Sequence, residues 1–422
     1  MSAKRERYTP NDVGPSPREW AAPKLSEVST LITNGFVGTA TPFYTDSSGV
    51  PYLYGTNVRA NKLEASEVRY ITREFHEAQS KTALKNGDLL TVQSGHIGET
   101  AVVTEQFEGA NCHALIVTRL KQSSVFPEYL SYYINSEIGR ARMRGLEVGS
   151  TILHINTKDL KKFRVLLPSL PEQKKIAQIL STWDKAITTT EQLLANSQKQ
   201  KKALMQQLLT GKKRLLDENG VRFGREWHEV SLSAICEINP KKSPSPEDGK
   251  VSFVAMEAVS EDAKLISSVI RDYDDVSKGF TSFSDSDVLV AKITPCFENG
   301  KGAYIEGMQN GMGFGSTEFH VLRAGAKSDS KYLYYITNTS EFRVRGEANM
   351  QGSAGQKRVT TDYLKSLKVT VPTDVVEQQK IAAVLSTADQ DITVLQQKLD
   401  VLRQEKKALM QQLLTGKRRV LV

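Results

Sequence analysis

The string Lys-Lys-Ala-Leu-Met-Gln-Gln-Leu-Leu-Thr-Gly-Lys occurs at Lys201–Lys212 and again at Lys406–Lys417. Twelve identical residues recurring 205 positions later in a chain of 422 mark a duplication. A period of about 20–50 residues would mean a solenoid. This longer one means two whole modules, each a globular domain followed by a helix. At the same offset, Glu172-Gln173-Lys174-Lys175-Ile176-Ala177 answers to Glu377-Gln378-Gln379-Lys380-Ile381-Ala382. Upstream the match weakens but keeps its order. Arg18-Glu19-Trp20 pairs with Arg225-Glu226-Trp227, Asp88-Leu89-Leu90 with Asp287-Val288-Leu289, and Gly149-Ser150 with Gly352-Ser353. Tyr129-Leu130-Ser131-Tyr132-Tyr133-Ile134 resembles Tyr332-Leu333-Tyr334-Tyr335-Ile336. Drifting offsets are what surface loops of unequal length produce.

The length exceeds what one hydrophobic core serves, so two or more domains are expected. A formal charge of +8 and a pI near 9.1 favour an acidic partner such as nucleic acid. Cys112, Cys236 and Cys296 stand alone, without the Cys-x-x-Cys spacing of a zinc site or the density of a disulfide framework. The first ten residues are polar and charged, and no apolar stretch is long enough to span a bilayer. A reduced, cytoplasmic protein is expected.

Apolar residues between Leu170 and Thr210 recur in steps of three and four. Leu180, Trp183, Ile187, Thr190, Leu194, Ser197, Lys201, Leu204 and Leu208 form one stripe. Its copy reads Leu385, Ala388, Ile392, Leu395, Leu399, Leu402, Lys406, Leu409 and Leu413. This is the seam spacing of a coiled coil. Ser169 with Glu172, and Asp374 with Glu377, have the spacing of a capping box. Thr210-Gly211 and Thr415-Gly416 suit left-handed C-caps. Two rods of roughly 60 Å follow from about forty residues at 1.5 Å each. Pairing between two chains would satisfy the seam. Duplication within one chain favours antiparallel pairing of its own two helices, with Trp183 aligned to Ala388 as large against small.

The domains ahead of the rods read as mixed α/β. Asp88–Val92 and Asp287–Ala291 are buried strands, Pro51–Val58 and Val251–Val259 a strand-and-turn pair, and Glu128–Ser136 and Ser330–Asn338 helices. Strands Phe163–Leu167 and Leu367–Val371 lead into the rods. Loop residues suited to a polynucleotide occupy matching places in both halves. Gln93, Ser94 and His96 follow one strand, and Lys292 and Thr294 follow its counterpart. Ser150 and His154, with Ser353, Gln356, Lys357 and Arg358 in the other half, lie in the loops before the rods. Arg, Lys, Asn and Gln can read base edges, while Ser, Lys and backbone N–H groups hold phosphates.

Catalytic signatures are missing. Asn239-Pro240-Lys241-Lys242 starts like the Asn/Asp-Pro-Pro-aromatic box of an amino-methyltransferase but lacks its second half. No Walker A loop occurs. Asp248-Gly249-Lys250 reads as a turn rather than a nuclease element. Gly311-Met312-Gly313-Phe314-Gly315 precedes a strand, Ser316–Leu322, instead of a phosphate-binding helix. The six histidines show no metal spacing.

Domain, rod, domain, rod, with near-identical rods carrying Glu-Gln-x-Lys-Ile-Ala and Leu-Leu-Thr-Gly-Lys, resembles the specificity subunit of type I restriction-modification systems over about residues 18–420. Gly313–His320, Asp88-Leu89-Leu90 with Gly95, and Leu364–Pro372 add to the likeness. The resemblance implies a mixed α/β fold with an internal pseudo-twofold repeat. Its parts are an N-terminal tail (1–17), a first target-recognition domain (18–168), a first spacer helix (169–211), a linker (212–224), a second target-recognition domain (225–372), a second spacer helix (373–416) and a basic tail (417–422). It implies a non-catalytic subunit without a cofactor of its own, each domain reading half of a split, asymmetric site in double-stranded DNA. The paired helices would fix the spacing and dock two methylation subunits, with restriction subunits joining the full complex. The Gly211–Phe223 linker lacks the tandem repeat that some members use to tune spacing. The competing expectations are a coiled-coil scaffold with two variable protein-binding domains and a self-sufficient DNA-modifying enzyme.

Overall fold

The computed structural model describes residues 8–9, 13, 16–147, 153–353 and 355–421. The chain divides into two compact units, residues 1–191 with 397–422, and residues 192–396. Among the described residues no helix is long and apolar enough to cross a membrane.

In the first unit an antiparallel sheet runs in the order Thr100–Val102, Leu89–Val92, Leu115–Leu120, Ser29–Asn34. In the second, the order is Gly302–Tyr304, Val288–Ala291, Phe319–Ala324, Cys236–Ile238, also antiparallel. The strands Leu89–Val92 and Val288–Ala291 are buried at every position; the second is an unbroken apolar run, and in the first the one polar residue, Thr91, shares a hydroxyl hydrogen bond with Thr100 at 3.0 Å. Alternate residues of the latter serve different cores, Val288 and Val290 one and Leu289 and Ala291 another. The aspartate opening each run is buried and grips an arginine through two bonds. Asp88 accepts from Arg119 at 2.9 and 2.7 Å, and Asp287 from Arg323 at 2.8 and 2.7 Å.

A second four-stranded sheet in each unit contains one parallel pair. Asn111–Cys112 lies parallel to Val50–Leu53, and Met312–Gly315 parallel to Lys250–Val254. The edges differ, since Tyr44–Thr45 pairs with Arg69–Ile71 whereas Thr281–Ser284 pairs with Met312–Gly315. The glycine run expected to precede a strand is itself one. A Cβ on Gly313 would meet the Phe283 ring at 2.4 Å, so the glycines admit an aromatic side chain rather than a phosphate. A turn then separates it from the strand Phe319–Ala324, which starts later than expected.

The strand expected over Phe163–Leu167 is absent. Only the bridges Ala21↔Leu167 and Lys24↔Arg164 form there, because Pro23 between them has no N–H to donate. The other half has no proline at that place, and Lys368–Pro372 pairs along its length with Trp227–Ser231.

The helices Leu170–Leu208 and Val375–Leu413 have 39 residues each. In the first unit, Glu172, Asp184 and Glu191 meet Arg419, Lys406 and Arg403. One series of numbers rises as the other falls, so the start of the first helix runs antiparallel to the end of the second. In the second unit, Glu377 and Asp389 meet Arg214 and Lys201 in the same sense. Leu180 with Leu409 and Leu413 enters the core of the first unit; Leu204 and Leu208 with Leu385 enter that of the second. Leu194, Ile392 and Leu399 are also buried, and Trp183, Ile187 and Ala388 half-buried.

Of the polar residues in the seam, Thr190, Lys201 and Lys406 are bonded. Thr190 donates to the Ala186 carbonyl at 2.8 Å. Lys201 donates to Asp389 at 2.6 Å, and Tyr335 donates to the same carboxylate at 2.8 Å. Lys406, Asp184 and Tyr132 repeat this triad in the first unit.

The first expected capping box forms by half, the Glu172 amide donating to Ser169 Oγ at 3.4 Å; in place of the second, the Val376 amide, one residue short of Glu377, donates to Asp374 Oδ1 at 3.0 Å. The glutamates do not turn back to the cap. Each is buried and holds an arginine bidentately, Glu172 taking Arg419 at 2.7 and 2.9 Å and Glu377 taking Arg214 at 2.5 and 2.7 Å. A charge-assisted pair outweighs a cap bond available from a neutral amide. The adjacent glutamines tie domain to helix. Gln173 bonds the backbone at Phe126, Ser124 and Pro168, and Gln378 does so at Asp329, Lys327 and Pro372. Past the helix ends, the chain turns away through Gly211 and Gly416, both at φ +69°.

Candidate nucleic-acid interface

In both units the loop after the buried strand is joined to the loop before the long helix. In the first, the Ile155 amide donates to the Gln93 carbonyl at 3.0 Å and Ser94 bridges His154. In the second, the Val359 amide donates to the Lys292 carbonyl at 2.9 Å and Ile293 bridges Arg358. Ile155 and Val359 are buried, and each anchors an exposed loop to its core. The junction therefore presents Ser94, His96 and His154 on one unit and Ser353, Gln356 and Lys357 on the other, all exposed. Gln93 and Lys292 are half-buried. Ser150, with Gly149, lies outside the described residues.

Two candidates have partners inside the protein. Thr294 donates to Glu298 at 2.7 Å. Arg358 makes a bidentate pair with Glu318 at 3.0 and 2.8 Å, which holds that carboxyl below its usual range. Nearby, His320 donates from Nε2 to the Val359 carbonyl at 2.8 Å. Burial pushes its pKa down, so the ring under this loop is neutral.

The first unit holds a cluster that the sequence reading missed. An open cleft of about 610 Å³ is lined by Ser94, Gly95 and His96 together with Tyr54, Arg69 and His113. Tyr54 stacks on His113 with ring centres 4.8 Å apart. The Arg69 guanidinium lies 5.1 Å from the centres of both the Tyr44 and Tyr54 rings and donates to the Tyr44 hydroxyl at 2.9 Å. Burial, with the nearby Arg69 charge, lowers the His113 pKa, so Arg69 is the cation here at neutral pH. Behind them Phe36, Phe43, Tyr52 and Phe75 form an aromatic base. The one available sequence signal was the alternating Tyr52 and Tyr54, in and just past the strand Val50–Leu53; Tyr44, Arg69 and His113 come from three other segments.

Among the described residues no group of three or more His, Cys, Asp or Glu could hold a metal. Burial pushes the Cys112 and Cys236 thiols up to about 12, away from reactivity.

The chain matches the family of the type I restriction modification DNA specificity domain twice, over residues 17–196 and 224–404. It is 40% identical over 159 residues to the type I restriction enzyme EcoAI specificity subunit of Escherichia coli, a match covering 37% of this chain and 26% of that protein. The match to the EcoEI specificity subunit of the same species is 34% identical and covers 40% of this chain and 29% of that one. These matches therefore span under a third of either relative. A putative MjaX specificity subunit of Methanocaldococcus jannaschii is 24% identical, covering 99% of this chain and 98% of its own. The type I restriction-modification S subunit from M. genitalium shares the fold with a TM-score of 0.57 at 14% identity, covering 93% of this chain and 96% of that one. A chain from a structure concerned with assembly and conformational transition of the type I system gives 0.53 at 17% identity, covering 96% and 99%. Matched twice along its length and built as two variations on one module, the chain belongs to the DNA specificity subunits of type I restriction-modification systems.

Proposed function

We propose that the chain reads DNA sequence for a restriction-modification complex, each globular domain contacting one half of a two-part, asymmetric site. The observation that carries this reading is the loop junction repeated in both units, Gln93 with Ile155 and Lys292 with Val359, each presenting polar and basic side chains from a buried anchor. The frameworks repeat while the exposed residues differ, as two readers of different half-sites require. Ser94, His96, His154, Ser353, Gln356 and Lys357 are the contact residues in this reading, with Ser150 beside them. Lys292, Thr294 and Arg358 act from within the second loop. The chain itself does no chemistry; a methylation partner would supply it.

The long helices serve as spacer and docking surface, their shared dodecamer offering the same face to each of two methylation subunits, with restriction subunits added in the complete assembly. Phosphate contacts by basic residues would make affinity fall steeply with salt. A cytoplasmic site of action follows from a DNA substrate.

The test is exchange of residues 18–168 for the first domain of another family member, followed by mapping methylated bases in a host carrying the reconstituted complex. One half of the methylated motif should change and the other stay. A change in both halves, or methylation indifferent to sequence in the parent complex, would refute the assignment. Stable protein complexes with no nucleic-acid requirement would favour the scaffold reading instead.

A further inference from the structure

We infer that Arg69 reads a guanine in the half-site recognised by the first domain, an inference that rests on the DNA-reading function proposed above. Its surroundings distinguish Arg69 from the other well-held arginines. Arg119, Arg214, Arg323, Arg358 and Arg419 each end on a carboxylate. Arg140, Arg142, Arg164 and Arg343 donate to backbone carbonyls. Arg69 is held by phenols alone, its guanidinium 5.1 Å from two tyrosine ring centres and bonded through Nη1 to the hydroxyl of one of them. It is exposed, and its charge meets no carboxylate partner among the described residues.

An arginine tethered this way has surrendered much of its rotamer freedom before binding, and it keeps its positive charge. Its root is rigid as well, because Arg69 pairs with Tyr52 across the strand Val50–Leu53. The planar fork of a guanidinium matches the O6 and N7 acceptors that guanine shows in the major groove, the commonest specific contact of an arginine with DNA. The setting suits that contact: the same cleft is lined by the Ser94-Gly95-His96 loop, joined to His154. Gly95 at φ +79° has open space where a Cβ would stand, so a base edge can approach the backbone there. Glu67 also lines the cleft, which makes phosphate a poor occupant beside it.

The experiment compares the methylated motif of the parent complex with those of complexes carrying Arg69→Ala and Arg69→Lys. With either variant, discrimination at one G·C position should fall roughly 10- to 100-fold. That position should lie in the half that follows the first domain on domain exchange, and the other half should be unchanged. Intact discrimination in the other half also shows that the variant folds and assembles. Tyr44→Phe, which removes the hydroxyl but keeps the ring, should give a smaller loss at the same position. An unchanged motif in Arg69→Ala would overturn the inference. So would a uniform loss of affinity across sequences with a shallower salt dependence, the mark of a phosphate contact. A parent complex that methylates without a two-part motif would instead overturn the DNA-reading assignment beneath it.

Discussion

Glu377 is fully buried, and its two carboxylate oxygens are taken by one arginine, Arg214. Removing one partner of a buried pair leaves an uncompensated charge, which costs more than removing both. Arg214→Met should therefore lower unfolding free energy by about 3–5 kcal/mol, and Arg214→Met with Glu377→Gln should recover most of it. Urea titrations of the two variants and the parent measure this. A double variant no more stable than the single one would contradict the argument. His320 gives a prediction in pH. Its folded-state pKa lies below the ordinary 6.5 because the ring is buried. A group depressed in this way favours the folded state fully above 6.5 and progressively less as pH falls through its folded value. The parent should lose more stability than His320→Gln between pH 7.5 and 5.5, read as the difference in urea midpoint. Equal losses would mean that the ring titrates alike folded and unfolded.

The helix termini are copies in sequence but not in surroundings. Gly211 and Gly416 share φ +69°, yet a Cβ at Gly211 would touch Trp227 at 3.2 Å while one at Gly416 would meet the Pro17 ring at 2.4 Å. Gly211→Ala should cost about 1–2 kcal/mol from the left-handed backbone, and Gly416→Ala more, because a rigid ring must also move. Thermal melts of both variants test the order, and equal losses would refute it. Elements of this kind were largely legible in the sequence, since three-and-four spacing, a closing Thr-Gly and short, largely apolar strands are local signals. The interrupted strand near Phe163 was not, because the cause, Pro23, sits about 140 residues upstream on its partner. The fate of Glu172 was hidden in the same way: spacing alone matched a capping box, and its true partner, Arg419, lies 247 residues away. The cleft around Arg69 draws on four segments with no common period, so no window of sequence could assemble it.

At the scale of the whole chain, duplication was plain from the dodecamer, while the way the chain is shared out between units follows from contacts. The second unit is one continuous stretch, 192–396, and its main core draws only on residues between Leu204 and Leu385. The first unit draws on residues from both sides of the second, because Leu409, Leu413 and Leu414 enter its core and Arg419 covers Glu172. Deleting residues 397–422 should therefore loosen the first unit and spare the second. Hydrogen exchange should rise in Pro127–Asn135 and the first turns of the helix from Leu170, with little change over 225–372; uniform loosening, or none, would contradict this. During synthesis the consequence is one of timing. The ribosome makes the first domain before the residues that close its base, Leu409 to Arg419, whereas the second domain, residues 192–396, has all its own parts before those are made. A nascent chain thus carries an unfinished first domain until after the second has been made, so the domain synthesised first is the one completed last.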